Sequence, residues 1–253
     1  MATTKAGSTV DSDEVARFAA LADQWWDPDG KFRPLHRLNP VRLRFIRDRF
    51  AAHFGRDPLA DRPLDGLRLL DIGCGGGLLC EPMARLGARV VGLDAAARTV
   101  EIARHHAAES RLDIDYRAGT AEDLAAAGER FDAILNMEVV EHVADVGLFL
   151  TATAELLRPG GCMAAATLNR TAKAYALAVI GAEYVLGWLP RGTHDWRKFV
   201  RPSELVDGLA AAGVTVEELV GVVYNPVTGL WTTGRDLAVN YMAFAVKGGG
   251  GGD

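Results

Sequence analysis

Residues 70–77 read LDIGCGGG: an apolar run ends in an acid, and four glycines follow within five positions. A buried strand that must turn at once on so bare a backbone belongs to one architecture above others. In a doubly wound α/β sheet, ligands sit at the carboxyl ends of the strands, and the first strand-to-helix turn needs glycine to let a ligand approach the backbone. The residues that follow keep to this pattern. LRLLDIG, RVVGLDA, IDYRAG, FDAILNM and CMAAATLN read as short apolar strands, and LLCEPMARLG, ARTVEIARHHAAES and DVGLFLTATAELLRPGG as the helices between them. Alternation of this kind predicts a mostly parallel sheet with helices on both faces.

The ends of the chain read differently. Residues 1–13 carry no periodic pattern and are expected to be disordered. A helical cap is predicted over 14–64, with one helix from Val15 to Trp26 and a second across NPVRLRFIRDRFAAHF, Pro40 lying in its first turn. The sheet domain is predicted over 65–247, interrupted by an insert at 170–200. PSELVDGLAAAG reads as a helix, and VTVEELVGVVYN and VNYMAFAVK as strands with no helix between them, which predicts an antiparallel hairpin at one sheet edge. Residues 248–253 read as a flexible tail.

The glycine turn excludes two ligand classes. After Gly73 and Gly75 the third glycine of a dinucleotide fingerprint falls on Leu78, and no Gly-Lys-Ser/Thr follows, so neither a nicotinamide dinucleotide nor a P-loop nucleotide fits. Asp71 would repel a pyrophosphate and attract an ammonium or a cationic sulfur. Asp94 closes the second strand, where an acid accepts both hydroxyls of a ribose. Asp71, the loop from Gly73 to Gly77 and Asp94, in this strand order, predict a site for S-adenosylmethionine and a class I methyltransferase.

Composition narrows the partners. A net charge of −5 at pH 7 is wrong for a general nucleic-acid binder, and three cysteines without a CxxC pair suit a reducing compartment. No signal peptide, transit peptide or uncharged apolar run of membrane-spanning length is evident. The expected location is the cytoplasm.

Longer blocks carry a more specific likeness. WWDPDGKFRPLHRLNPVRL, LLDIGCGGGLL, MEVVEHV, EYVLGWLPRGTHDW, YNPVTG and VNYM together resemble the ubiquinone-biosynthesis O-methyltransferases, from about Phe18 to Met242. The resemblance implies methylation of a phenolic hydroxyl on a polyprenylated catechol and on 3-demethylubiquinol, with S-adenosylmethionine as donor. It implies cofactor contacts at Arg42, Gly73, Asp94 and Met137, beside the Asp71 read from the loop. Arg42 suits the cofactor carboxylate as a bidentate partner, and Met137 flanks the adenosyl group at the end of the fourth strand.

Glu138, Glu141 and His142 stand at i, i+3 and i+4, which in the first turn of an α-helix puts them on one face. Two readings stand: acids that favour a helix N-terminus beside a packed histidine, or a cation site, for which the resemblance implies a divalent ion. Two carboxylates suit magnesium, the favoured ion, while the histidine leans toward zinc or iron; such an ion would lower the pKa of the phenol, ordinarily near 10. No general base is identifiable; His36 and His194 read as structural hydrogen-bonding residues.

The insert 174–190, AYALAVIGAEYVLGWLP, carries a single charge, Glu183, between Lys173 and Arg191. It reads as a lid helix or as an interfacial helix with Tyr175, Tyr184 and Trp188 at headgroup level. The second reading places the enzyme on the inner face of the cell membrane, with Arg170, Arg197 and Lys198 meeting anionic lipid and with a biosynthetic complex as a further partner. The competing functions are methylation of another small phenol and cofactor binding without turnover.

Overall fold

The structure is a computed structural model that describes residues 9–177, 195–225 and 227–249. Its centre is an eight-stranded sheet: β1 (Arg68–Ile72), β2 (Arg89–Asp94), β3 (Asp115–Ala118), β4 (Phe131–Met137), β5 (Leu157–Leu168), β6 (Val214–Asn225), β7 (Leu230–Gly234) and β8 (Asn240–Lys247), in the order β3-β2-β1-β4-β5-β8-β6-β7. β1 to β5 pair in parallel, whereas β8 runs antiparallel to both β5 and β6, and β7 antiparallel to β6. The order turns around between β1 and β4, and a crevice at their carboxyl ends is the expected binding place.

The side chains alternate across the sheet with a period of two. Leu69, Val90, Leu135 and Phe244 face one layer, built by α2 (Arg33–His53), α3 (Cys80–Arg85) and α4 (Ala97–Glu109). Leu70, Val91, Ile134 and Tyr241 face the other, built by α5 (Ala121–Ala126), α6 (Val146–Leu156) and α8 (Pro202–Ala211). With both faces buried, most positions of the central strands are apolar, which is why these strands read as near-continuous hydrophobic runs.

Several boundaries differ from the sequence expectation, each for a local reason. α1 spans Ser12–Ala20, and its start is fixed by Asp11, whose side chain accepts from the amides of Asp13 and Glu14. Residues 9–13 are therefore ordered: Thr9 Oγ1 also donates to Glu122, and the Ala144 amide donates to the Thr9 carbonyl. Residues 1–8 lie outside the described residues. α2 begins at Arg33 with Pro34 in its first turn, so Pro40 sits inside the helix, where it has no amide to donate to the His36 carbonyl.

Two elements were not anticipated. α5 is only six residues long, too short for periodicity to announce, and is held by a capping box between Thr120 and Asp123. β7 follows a tight turn after β6. The two long strands of the last third do pair antiparallel, but β8 lies inside the sheet and β7 forms its edge. The short helical turn α7 (Ala172–Ala174) opens the insert; residues 178–194, with Glu183, Tyr184, Trp188, Arg191 and His194, lie outside the described residues, as do Pro226 and the end of the tail, 250–253.

Candidate active site

The glycine loop leaves β1 at Ile72 and turns with positive φ at Gly73 (68°), Gly75 (53°) and Gly77 (89°). At Gly73 a side chain is doubly excluded, since a Cβ there would lie 2.5 Å from Cγ2 of Val139. The N-terminal cap closes over this loop. Trp25 stacks on Phe32 at 3.8 Å between ring centroids and packs against Leu78, and the Trp26 indole N–H donates to the Gly76 carbonyl at 2.9 Å. His36 Nε2 lies 2.8 Å from the Trp25 carbonyl, the structural bond expected of it.

Two acids flank the loop. Asp71 is 2% exposed, and the Cys80 thiol donates to its Oδ2 at 3.2 Å. Burial pushes its carboxyl up from 3.8 to about 7; the Cys80 bond and the nearby Arg42 oppose this, and the negative Asp94 and Glu138 add to it. Asp94 accepts from the Gly75 amide at 3.0 Å and from the Ala96 amide at 2.8 Å, so it braces the loop as well as facing the crevice. Burial raises its pKa too, against those two bonds.

Opposite them stands Arg42, 4% exposed although charged. Its Nε donates to Asn39 Oδ1 at 3.1 Å, its Nη2 reaches the same oxygen, and its Nη1 pairs with the carboxylate of Glu138. Asn39 in turn donates to the Leu78 carbonyl at 3.1 Å, which ties α2 to the glycine loop. Asp71, Gly73, Asp94, Met137, Glu138 and Arg42 all line one cavity of about 680 Å³. All five residues expected to contact the cofactor are thereby brought together around one space.

The expected cation group is not assembled. Val140–His142 forms a 3-10 turn, and Glu138 precedes it with φ of 55°. At three residues per turn, the i and i+4 positions no longer share a face. The three side chains accordingly find separate partners. Glu138 pairs with Arg42; buried Glu141 accepts from the Thr167 hydroxyl at 2.8 Å; His142 Nδ1 lies 3.3 Å from Glu14 of α1. Burial raises the Glu141 carboxyl. Among the described residues, no three His, Cys, Asp or Glu side chains are placed to hold a metal ion. In this arrangement the donor set does not fit a divalent cation.

Comparison with known proteins completes the picture. The methyltransferase-domain family matches residues 70–165. The ubiquinone biosynthesis O-methyltransferase of Chelativorans sp. (strain BNC1) is 65% identical over 240 residues, covering 95% of each chain. That of Mesorhizobium japonicum is 63% identical over 241 residues, covering 95% of this chain and 97% of its own. The chain belongs to the ubiquinone biosynthesis O-methyltransferase family. Members of this family are S-adenosylmethionine-dependent O-methyltransferases, and so is this protein. Solved structures share its fold: an S-adenosylmethionine-dependent methyltransferase of Thermotoga maritima superposes with a TM-score of 0.57 at 19% identity, covering 93% of this chain and 98% of the other. Magnesium protoporphyrin IX methyltransferase from Synechocystis PCC 6803, with bound SAH, gives 0.54 at 20% identity, covering 81% and 82%.

Sequence reasoning missed several groups in this O-methyltransferase. Asn39 and Trp26 lie inside motif blocks noted for likeness alone, and only the fold shows that they tie the cap to the loop. Glu14 gives no sequence signal as the partner of His142. The basic residues expected to meet lipid near the insert are already engaged: Arg170 with Glu204, Arg197 with Asp195, and Lys198 with Asp11 and Glu14. Opposite charges within one small region satisfy each other before they reach a membrane.

Proposed function

We propose that the enzyme methylates a phenolic hydroxyl of a polyprenylated catechol and of 3-demethylubiquinol, with the cofactor held by Arg42, Asp71, Gly73, Asp94 and Met137. The observation that carries this reading is that a buried carboxyl, Asp71, and a buried guanidinium, Arg42, line one cavity at the sheet's switch point without bonding to each other. That pair matches the ammonium and carboxylate of an amino-acid moiety. S-adenosylmethionine, when bound, supplies an electrophilic methyl group on a sulfonium.

The chain's own residues do the rest. Asp71 regains its charge beside the ammonium, Arg42 takes the carboxylate with the N–H groups that Asn39 and Glu138 leave free, and Asp94 accepts the ribose hydroxyls with the lone pairs its backbone bonds leave free. The cap, 14–64, closes Trp25 and Phe18 over the methyltransferase domain, 65–247, and keeps water from the sulfonium. Acids outnumber bases around the cavity, which favours a ligand of net positive charge. At its other end Val222, Tyr224 and Trp231 provide an apolar wall for the foot of a prenyl tail. The insert 174–190, mostly outside the described residues, is read as one membrane contact, holding a cytoplasmic enzyme at the inner face of the membrane and within reach of companion enzymes.

The test is transfer of a labelled methyl group to short-chain demethylubiquinol and to a tail-less catechol, each with and without chelator. Preferred transfer to the prenylated acceptor is expected, with the affinity for S-adenosylhomocysteine unchanged by chelator. Equal transfer to both acceptors would make this a small-phenol methyltransferase, and binding without transfer a non-catalytic cofactor protein. Loss of transfer in chelator at unchanged cofactor affinity would show that the cation site assembles only with the acceptor.

A further inference from the structure

The two acids beside the glycine loop are held in unequal ways. Asp94 accepts from two backbone amides, those of Gly75 and Ala96. Asp71, only 2% exposed, receives one donor among the described residues: the thiol of Cys80, 3.2 Å from Oδ2. Buried carboxylates that stay charged commonly hold two or three N–H donors, and a thiol is a weaker donor than any of these. The fold places Cys80 for this bond. It is the first residue of α3, nine positions after Asp71, and the glycine turn between them brings the helix start back to the strand end.

The groups that face Asp71 come from every element around it. Arg42 of α2 favours the carboxylate, although Asn39 and Glu138 already engage that guanidinium, whereas Asp94 of β2 and Glu138 after β4 disfavour it. Of the influences that oppose burial, the Cys80 bond is the strongest. The other thiol of the loop does not compete: Cys74 Sγ donates to the Gly75 carbonyl at 3.6 Å, and burial pushes that thiol up to about 11. Burial raises the Tyr116 phenol of β3 as well, and it pushes Cys80 well above its ordinary value, so Cys80 keeps the proton it donates.

We infer that Cys80 positions Asp71 for the cofactor's ammonium group, its thiol fixing Oδ2 and setting how readily the empty site takes up and gives back a proton. This inference rests on the proposed placement of the amino-acid moiety between Asp71 and Arg42. S-adenosylhomocysteine carries the same ammonium. Where the empty site is protonated, its binding sends the Asp71 proton to solvent and leaves the carboxylate paired with the ammonium. A hydroxyl in place of the thiol would hold the acid charged more firmly, and a methyl group would leave it protonated to higher pH.

The test is calorimetric titration of S-adenosylhomocysteine into the full chain between about pH 5.5 and about pH 8.5, in buffers of different ionisation enthalpy so that released protons are counted. Cys80→Ala, Cys80→Ser and Asp71→Asn are compared with the parent, each checked for folding by circular dichroism. In the parent, affinity should fall below about pH 7, with proton release on binding there. Asp94 is braced by its two amides in every variant, so its share of the profile cancels in the comparison. Cys80→Ala should move the fall to higher pH, binding roughly three- to tenfold more weakly than the parent near pH 6, with most of that deficit gone by about pH 8.5. Cys80→Ser restores a donor and should move the fall to lower pH; it also decides the matter if Cys80→Ala does not fold. Asp71→Asn should bind weakly throughout and release no such proton. Parental pH profiles and proton counts in the Cys80 variants, beside a weakened Asp71→Asn, would overturn the role of Cys80 alone. So would a Cys80→Ala deficit that is equal at every pH, the mark of a merely structural loss. Parental affinity in Asp71→Asn would instead overturn the placement of the ammonium itself.

Discussion

Asp71→Asn is expected to make the cofactor-free enzyme more stable and worse at its task. The carboxyl of Asp71 is buried, with its pKa raised from 3.8 to about 7 chiefly by desolvation. From about pH 4 to about pH 7 the native state keeps a proton that the unfolded chain has released, so native stability falls as pH rises through that window and the full cost is present above it. At about 1.36 kcal/mol per pK unit, the cost grows from about 2 kcal/mol at pH 5 to about 4 kcal/mol at pH 8. Asparagine keeps the shape, can accept the Cys80 thiol bond and carries no charge to desolvate. For a chain of this size, relief on this scale raises the melting midpoint by roughly 5–10 °C at pH 8, and by about half of that at pH 5. The assay is thermal unfolding of the cofactor-free protein across pH, paired with calorimetric titration of S-adenosylhomocysteine, whose affinity should fall roughly ten- to a hundredfold as its ammonium loses a charged acceptor. An Asp71→Asn protein that melts lower than the parent at pH 8, or whose advantage does not change with pH, would refute the argument that this acid is held at a desolvation cost for the cofactor's sake.

Asp94→Ala should weaken S-adenosylhomocysteine about a hundredfold and also lower stability, because the Gly75 and Ala96 amides lose their acceptor; a near-parental dissociation constant in calorimetry would remove Asp94 from the site. Gly77→Ala should be strongly destabilising, since φ there is 89° and the new methyl would press on the phenolic oxygen of Tyr116. That oxygen is buried without a partner among the described residues, so Tyr116→Phe alone should be neutral or stabilising by about 1 kcal/mol. The double variant should recover part of the Gly77→Ala loss, as a double-mutant cycle by denaturant unfolding would measure.

How much of this could be read in advance depended on how local each feature is. The parallel strands and the helices between them were legible because burial on both faces forces apolar runs of strand length. Asp71 and Asp94 were legible because each closes such a run. α5 escaped because six residues give no usable period, and β7 because a five-residue edge strand of mixed exposure looks like loop. The single α-helix turn expected over Glu138, Glu141 and His142 was the consequential difference. Their spacing fits one helical face, but the chain enters the turn through a positive φ at Glu138 and winds as a 3-10 turn, and the three side chains part.

Sequence by itself determined the parallel strands, the glycine turn and the two acids beside it, because backbone geometry and strand burial act over a few neighbouring residues. Only the tertiary structure decided which charges are free and which are spoken for. Arg42 is held by Asn39 and Glu138, His142 by Glu14, and Lys198 by Asp11, whereas Arg33 and Arg37 form no ion pair with any described residue. A charged side chain takes its meaning from the opposite charge that the fold brings within a few ångströms, and that neighbour is usually far away along the chain.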